Sequence, residues 1–473
     1  MEPGRRVVLY AALGVGHLTP MVELAKLFLR HHFAVTIAVP TRPASAPTAA
    51  SAGAPNVNSL AAANPSISFH LLPPPPYPDP DPTPFVRMID TLRLSEPSLL
   101  ALLRSLPSVA ALVLDMFCGH AVDVAAEVNV PAYIYYTSSA GALATYLHLP
   151  YYHSKAASSF SDMGKALLHF PGVPPIAASD MPSIVQSREG RPCKARAALS
   201  ARVAEASGVL LNTYEWLEAR AVKALREGAC VPDRPTPPVY CVGPLVAGGA
   251  EDAGESWLHA CLAWLDAQPE HSVVFLCFGS MGAFSAAQIR EIAGGLERSG
   301  HRFLWVVRSP PQDPSKFFET RPEPDLESLL PDGFLNRTRD KGLVVPSWAP
   351  QVDVLRHAAT GAFVTHCGWN STLEGVAAGV PLLCWPQYAE QRLNKVFIVE
   401  EMKAGVVVQG YDEELVSAAE VEAKVRLVME SDEGARLRER LSAAREKAAE
   451  ALMDGGPSRL AFDEFLKDLA AAN

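Results

Sequence analysis

The chain has 473 residues, of which 49% are hydrophobic and 19% are charged, a composition typical of globular proteins. Its length predicts two or three domains rather than one. The formal net charge of −10 argues against a nucleic-acid or anionic membrane surface, although it permits a local positive site for a single phosphate group.

The first predicted element is a strand that follows two arginines, an arrangement that resembles a secretory signal. The segment continues, however, as an amphipathic helix with Leu24, Leu27 and Phe28 on one face. A strand–turn–helix unit therefore accounts for all of residues 7–32. Because no run of 18 apolar residues occurs in the sequence, we expect no membrane span and a cytoplasmic protein.

Apolar runs typical of buried strands alternate with helical patterns along the rest of the chain. We predict strands at residues 7–12, 35–39, 111–114, 132–136, 208–211, 273–278, 303–307, 343–345, 362–364 and 382–384. This alternation predicts an α/β fold, in which helices cover parallel sheets.

The strand–turn–helix pattern of residues 7–32 recurs at residues 273–300, so the chain starts over near its middle. Two such openings predict two doubly wound domains. Between them, residues 246–255 are rich in glycine, alanine and acidic residues, which indicates a linker.

The eight cysteines show no C-x-x-C spacing, and several lie inside apolar runs. They are Cys118, Cys193, Cys230, Cys241, Cys261, Cys277, Cys367 and Cys384. We therefore expect buried free thiols in a reducing compartment, and no metal site built from cysteine.

Two polar residues stand at the ends of predicted strands in the first half of the chain. His17 follows the first strand, and Asp115 ends the strand "LVLD". An imidazole, with an unperturbed pKa of about 6.5, can accept a proton at neutral pH, and a carboxylate behind it would hold its tautomer. A lone histidine after a strand is more often structural, so these two residues alone leave the pairing a hypothesis.

The segment "THCGWNSTLEG", residues 365–375, joins a predicted strand to a predicted helix. A helix N-terminus presents unbonded N–H groups and partial positive charge, so it is a natural anion site. Gly368 lets a ligand approach the backbone, while His366, Asn370 and Ser371 offer donors to a diphosphate. The spacing of Ser371 and Glu374 also fits an S-x-x-E capping box, which needs no ligand. The segment by itself leaves both interpretations open.

The run Trp348–Gln391, with "WAPQ", "HCGWNSTLEG" and "WPQYAEQ", resembles the signature segment of plant family 1 UDP-sugar-dependent glycosyltransferases. The resemblance extends to "GVGHLTP", "LVLDMFC", "VYCVGPL" and "FGS", and within the family it is strongest to enzymes acting on flavonoids and other small phenolics. It implies a GT-B fold, with two Rossmann-like doubly wound domains facing a cleft. Residues 1–245 would bind the acceptor and 256–456 the UDP-sugar, joined by the linker 246–255. Residues 457–473 would form a helix packing back on the first domain.

The resemblance also implies the parts of a donor site. Trp348 would stack on uracil, Glu374 would take both ribose hydroxyls, and Trp369 and Gln391 indicate a preference for UDP-glucose. The full set of implied donor-binding residues is Gly16, Thr137, Ser280, Trp348, Ala349, Gln351, His366, Gly368, Trp369, Asn370, Ser371, Glu374, Glu390 and Gln391.

The implied reaction is an inverting glucosyl transfer with His17 as general base and Asp115 as its partner. For the acceptor we predict contacts with Met116, Phe117, Tyr146 and Tyr388. The acceptor's identity and the choice among O-, C- and N-glycosylation stay open. Because the one acidic repeat, Asp79–Pro82, lies in a proline-rich loop of the other domain, we expect no metal, and UDP-glucose as a co-substrate rather than a cofactor. We expect a monomer.

Three other classes of function compete with this one. A nicotinamide-dependent dehydrogenase shares the fold class, but Gly14–Thr19 departs from G-x-G-x-x-G and residues 33–44 contain no acid for the ribose. A hydrolase would need His366 and Cys367 as a pair, yet neighbours on a strand point to opposite faces. A non-catalytic sugar-binding module would not need the histidine–carboxylate pair.

Overall fold

The computed structural model describes residues 5–43, 57–76, 83–156, 158–248, 255–311 and 321–472. They divide into two compact units. The first unit holds the described residues up to Ala247 and those from Ala448 onward, and the second holds those from Gly248 to Lys447. The middle of the predicted linker, 249–254, and the acidic repeat at 79–82 lie outside the described residues.

The first unit is built on a seven-stranded parallel sheet with helices around it. Its strands are β1 (Arg6–Tyr10), β2 (Ala34–Val39), β3 (Ile67–Leu71), β4 (Val109–Asp115), β5 (Ala132–Tyr136), the short antiparallel pair β6 (Leu167–Leu168) and β7 (Ile176–Ala177), β8 (Gly208–Leu211) and β9 (Val239–Cys241). Its helices are α1 (Val15–Arg30), α2 (Val57–Ala63), α3 (Pro84–Leu94), α4 (Glu96–Ser105), α5 (Val122–Glu127), α6 (Ala140–Lys155), α7 (Arg191–Val203) and α8 (Ala219–Arg226). The main sheet has the order β3-β2-β1-β4-β5-β8-β9.

The second unit repeats this plan with a six-stranded parallel sheet. Its strands are β10 (Val273–Cys277), β11 (Arg302–Val307), β12 (Gly342–Pro346), β13 (Thr360–Thr365), β14 (Leu382–Cys384) and β15 (Gly405–Val407), in the order β12-β11-β10-β13-β14-β15. Its helices are α9 (Glu255–Asp266), α10 (Ala286–Ser299), α11 (Leu326–Leu329), α12 (Phe334–Thr338), α13 (Gln351–Arg356), α14 (Trp369–Ala378), α15 (Gln391–Val396) and α16 (Ala418–Glu430). The following helix α17 (Asp432–Leu452) carries the chain out of this unit.

The last helix, α18 (Pro457–Ala472), packs in the core of the first unit. Phe465 is fully buried there, with ring centroids 4.8 Å from Tyr133 and 5.6 Å from Tyr240. Ser458 Oγ also donates a hydrogen bond to the Gly243 carbonyl at 2.6 Å. The return to the first unit begins at Ala448, inside α17, and not at residue 457.

Each sheet reverses its direction of growth at one place. The chain moves outward from β1 to β2 and β3, then crosses to β4 on the other side; β10, β11, β12 and β13 repeat this order. In open parallel sheets, ligands bind at the carboxyl ends of the strands beside this switch point. The topology therefore predicts one ligand site at the residues that follow β1 and β4, and another at those that follow β10 and β13.

The prediction of parallel α/β units is confirmed, and the missed strands share a physical cause. Central strands such as β1 and β10 are buried on both faces and so appear as continuous apolar runs. β3 exposes most of its residues at a sheet edge, and β9 and β15 have only three residues each. None of these segments contains an apolar run long enough to stand out.

All eight cysteines are free and buried, as predicted. Among the described residues, no helix is both long enough and apolar enough to cross a membrane.

Candidate functional site

The first candidate site lies at the switch point between β1 and β4. Gly14 has φ 107°, a conformation that favours glycine, and it turns the chain so that His17 falls in the first turn of α1. His17 Nδ1 lies 2.9 Å from Asp115 Oδ2 and 3.3 Å from Thr137 Oγ1. The sheet thus brings His17 to two residues that lie 98 and 120 positions away in the sequence.

The Asp115 carboxylate is held in one orientation and is fully buried. Its Oδ1 accepts a hydrogen bond from the Phe117 backbone N–H at 2.9 Å, while Oδ2 faces His17. An ionised carboxylate can only accept hydrogen bonds, so the contact with Asp115 Oδ2 assigns the proton of the neutral His17 imidazole to Nδ1. The lone pair of the ring then lies on Nε2. This tautomer suits a histidine that removes a proton from a bound hydroxyl group.

Aromatic rings stand beside the imidazole. The Phe117 ring centroid lies 4.9 Å from that of His17, and Phe85 lies 5.8 Å from Phe117. Phe117 was predicted from the sequence, whereas Phe85, at the start of α3 after the proline-rich loop, was missed. A flat aromatic ligand packs well against such faces.

The other two acceptor candidates of the first unit are more enclosed. Met116 and Tyr146 are 7% and 3% exposed. The Tyr146 ring is covered by the buried Arg196 guanidinium at 3.9 Å, and Arg196 Nη2 donates to Tyr136 Oη at 3.1 Å. Arg196 was not predicted because no pattern distinguishes it from the surface arginines of an amphipathic helix. The acceptor roles of Met116 and Tyr146 stay predictions.

The second candidate site lies at the switch point between β10 and β13. Gly368 is the N-cap residue of α14, and no side chain caps this helix end. Ser371 and Glu374 lie within the helix, and Gln351 Nε2 donates hydrogen bonds to Ser371 Oγ (2.8 Å) and to Glu374 Oε2. The capping-box interpretation is therefore wrong, because the two side chains point to Gln351 and not to the helix end.

The Glu374 carboxyl group is a weaker acid than an ordinary glutamate. Burial raises its pKa to about 7, against an opposing effect of the Gln351 hydrogen bond. A carboxyl group with this pKa changes its hydrogen-bonding character near neutral pH, because protonation converts one acceptor oxygen into a donor.

His366 is tightly enclosed after the end of β13. A Cβ on either Gly279 or Gly368 would lie 2.5 Å from His366 Nε2, so only glycine fits at both neighbouring positions. Burial, and then the charge of Arg308, lower the pKa of His366 to about 3. The imidazole is therefore neutral at physiological pH and can offer a ligand one N–H but no charge.

Cys367 is no nucleophile for a hydrolase. Cys367 lies after the end of β13 and has a backbone φ of 66°. The predicted argument, that neighbouring side chains on a strand point to opposite faces, therefore does not apply to His366 and Cys367. The thiol is fully buried and approaches the Thr365 carbonyl at 3.7 Å. Burial raises the pKa of this thiol well above its usual range, which opposes formation of the reactive thiolate.

The remaining predicted donor residues lie around the same sheet edge of the second unit or in the segment after β14. Trp348 follows β12 and is 39% exposed, whereas Trp369 is 2% exposed. Gln391 Oε1 accepts hydrogen bonds from the backbone N–H groups of Gln387 and Tyr388, both at 2.9 Å. The side-chain oxygen of Gln391 therefore stabilises the turn that precedes α15. The other predicted donor residues here are Ser280, Ala349, Asn370 and Glu390, while Gly16 lies in the first unit beside His17. Tyr388, in the segment after β14, was predicted to contact the acceptor, and that role stays a prediction.

Two arginines near this edge were missed. Arg308 follows β11, and Arg321 Nη1 donates to the Met281 carbonyl at 3.2 Å. The position of Arg308 directly after a buried strand was the available signal.

In the part of the chain that the structure describes, no group of three or more His, Cys, Asp and Glu side chains could hold a metal ion.

Comparisons with a protein family, with known sequences and with solved structures all match this chain to glycosyltransferases. Residues 236–442 match the family described as UDP-glucoronosyl and UDP-glucosyl transferase. The chain is 45% identical to an anthocyanidin 5,3-O-glucosyltransferase from a Rosa hybrid cultivar, over 96% of this chain and 97% of that protein. It is 40% identical to a phloretin 2'-O-glucosyltransferase of Pyrus communis, over 98% and 100%. A structure of Phytolacca americana UGT2 with UDP-2-fluoro-glucose and pterostilbene matches with a TM-score of 0.85 and 35% identity, over 98% and 100% of the chains.

Proposed function

The chain belongs to the UDP-glucuronosyl and UDP-glucosyl transferase family and is a UDP-glycosyltransferase, and from this premise we propose that it transfers glucose from UDP-glucose to a hydroxyl of a flavonoid or another small phenol. The observation that carries the proposal is the 2.9 Å contact of His17 Nδ1 with Asp115 Oδ2 at a sheet switch point. The relatives named above act on an anthocyanidin and on phloretin, which supports a phenolic acceptor.

In the proposed reaction, His17 acts as the general base. The acceptor oxygen forms a bond to the anomeric carbon as its proton passes to His17 Nε2. The bond from that carbon to the β-phosphate oxygen breaks, and its electron pair goes to UDP. Asp115 stabilises the imidazolium that results. A single displacement inverts the anomeric centre and gives a β-glucoside from α-linked UDP-glucose.

We assign donor binding to the second unit. Trp348 has an exposed ring on which uracil can stack, and Glu374 can accept hydrogen bonds from the ribose hydroxyls. The N-terminus of α14, with Asn370, Ser371 and His366, meets the diphosphate. Ser280 lies close by, on the turn after β10. Because these groups can bind phosphate oxygens directly, we propose metal-independent transfer.

The assay that tests the proposal offers UDP-glucose, UDP-galactose and UDP-glucuronate with a panel of about a hundred phenols. We expect glucosides with UDP-glucose as the best donor, a β linkage to oxygen by NMR, and unchanged rates in excess EDTA. Absence of transfer to every phenol would refute the function. An EDTA-induced loss that Mg²⁺ restores would show that a metal neutralises the leaving group.

The raised pKa of Glu374 predicts a pH dependence of nucleoside binding. Below pH 7 the carboxyl is protonated and loses acceptor capacity for the ribose, while above pH 7 the carboxylate is present. We expect uridine to bind about tenfold more weakly at pH 6 than at pH 8, because only the ionised fraction is competent. Calorimetry measures this, and uridine is chosen because it has no phosphate that titrates in the same range.

Glu374→Gln is the matched control for this pH dependence. It keeps the shape but does not ionise, so it should bind uridine weakly and equally at both pH values. A wild-type affinity that is flat from pH 6 to 8 would contradict the role of Glu374 in ribose binding.

A further inference from the structure

The turn that follows β10 is contacted by nitrogen-bearing side chains from two sides. At one end, Gly279 rests against the His366 imidazole, since an added Cβ would lie 2.5 Å from Nε2. At the other end, Arg321 Nη1 donates to the Met281 carbonyl at 3.2 Å. Ser280, which we assign to the diphosphate, is exposed between these two contacts.

Arg308 reaches the same place from the neighbouring strand. β10 and β11 are paired and parallel, so Arg308, directly after β11, lies at the sheet edge where Cys277 ends β10. Burial raises the pKa of the Cys277 thiol, and the charge of Arg308 opposes this effect. The same charge also acts on His366, where it adds to the effect of burial in lowering the imidazole pKa. The register of β10 and β11, in which Leu276 pairs with Trp305, places Arg308 beside the Ser280 turn.

A second arginine, Arg321, lies near the same edge. Ser309 Oγ donates to the Pro322 carbonyl at 2.8 Å, which closes the base of the loop between the two arginines. The charge of Arg308 contributes, after burial, to a lowered pKa of Arg321, as expected for two like charges near each other. Two guanidinium groups are therefore held around a turn that already contains a proposed phosphate ligand.

No carboxylate among the described residues forms an ion pair with Arg308, although the chain contains 51 acidic side chains against 41 lysines and arginines. A half-buried charge is costly unless an opposite charge offsets it. A half-buried guanidinium at a ligand-binding sheet edge is well suited to an anionic ligand.

We propose that Arg308 binds the diphosphate of the UDP-sugar beside Ser280 and stabilises the negative charge that collects on the β-phosphate as the sugar leaves. This proposal rests on the proposed function, in which the bond-breaking electron pair goes to UDP and the acceptor proton to His17. A guanidinium is permanently charged and can donate to two phosphate oxygens at once. The neutral His366 donates one hydrogen bond but does not offset the charge, so Arg308 supplies what the other ligands lack.

The test compares the binding of UDP and of uridine by calorimetry, because the two ligands differ only in the diphosphate. Arg308→Met should weaken UDP binding about tenfold to a hundredfold, the range for one charge-assisted hydrogen bond, and leave uridine binding unchanged. Arg308→Lys should retain part of the UDP affinity. Arg302→Met is the matched control, since Arg302 begins the same strand at the opposite edge, where its Nε donates to Gln268 Oε1 at 3.0 Å.

Steady-state kinetics add a second readout, in which Arg308→Met should lower kcat as well as raise the KM for UDP-glucose. Unchanged UDP affinity in Arg308→Met would overturn the proposal, and so would an equal loss for UDP and uridine, which indicates a structural role. If the methionine variant does not fold, Arg308→Gln gives the same comparison.

The two proposals can fail separately. Wild-type protein that binds UDP but glucosylates no phenol would refute the proposed function, while the UDP and uridine affinities of the variants would still decide whether Arg308 binds the diphosphate. Wild-type protein that binds neither ligand would refute both.

Discussion

Replacing His17 with alanine is expected to lower kcat/KM for a weakly acidic phenol about 10²- to 10⁴-fold, the usual contribution of a general base. The deficit should shrink for a trichlorophenol, because that acceptor is largely ionised near neutral pH and has no proton to lose. UDP affinity should be unchanged, since the proposed diphosphate and uridine ligands lie in the second unit. The measurement is kcat/KM across phenols of graded acidity, with UDP binding followed by calorimetry.

Asp115→Asn separates proton transfer from positioning. The amide keeps the shape of the buried side chain but weakens the partner of the imidazolium, so we expect a smaller loss than in His17→Ala.

An equal loss of His17→Ala activity on acidic and weakly acidic phenols would indicate that the imidazole only positions the acceptor. Full activity of His17→Ala on an ordinary phenol would exclude the mechanism.

Truncating Phe465 to alanine is expected to destabilise the first unit by about 3–5 kcal/mol, the usual cost of removing a fully buried phenylalanine. Its ring centroid lies 5.8 Å or less from those of Phe28, Tyr133 and Tyr240, so the cavity would open between α18, α1 and the sheet. A chain with two compact units has no single two-state free energy of unfolding, so hydrogen exchange is the suitable measurement. Amides of β1 and β5 should lose protection, while those of β10 and β13 serve as the internal reference.

Lys467→Ala provides the matched control for this truncation. Lys467 lies two residues further along the same helix and is exposed, so its removal should change stability by no more than about 0.5 kcal/mol. Unchanged protection of β1 and β5 in Phe465→Ala would show that α18 does not contribute to the core of the first unit.

Features that depend on local pattern could be predicted from the order of residues alone. Strands buried on both faces are continuous apolar runs, so the strand–turn–helix openings at β1 and β10 and the α/β class were predictable. The segment around Gly368 could be assigned to a donor site because its resemblance to one family is long and specific. A pairing of His17 with Asp115 could be put forward as a hypothesis because the carboxyl ends of parallel strands meet at one sheet edge, and the family resemblance implied the roles of the two residues.

The contacts between side chains far apart in the sequence were not predictable in this way, and they emerge only from the packing of the folded chain. Ser371 and Glu374 bond to Gln351, which excludes the capping box that their spacing allowed. Arg308 lies at the edge where β10 ends, with no carboxylate of the described residues paired to it. Patterns along the chain report whether a residue faces a core, but the partner of a side chain depends on strand order and loop closure. The acidity of Glu374 and the neutrality of His366 likewise follow from burial that only packing creates.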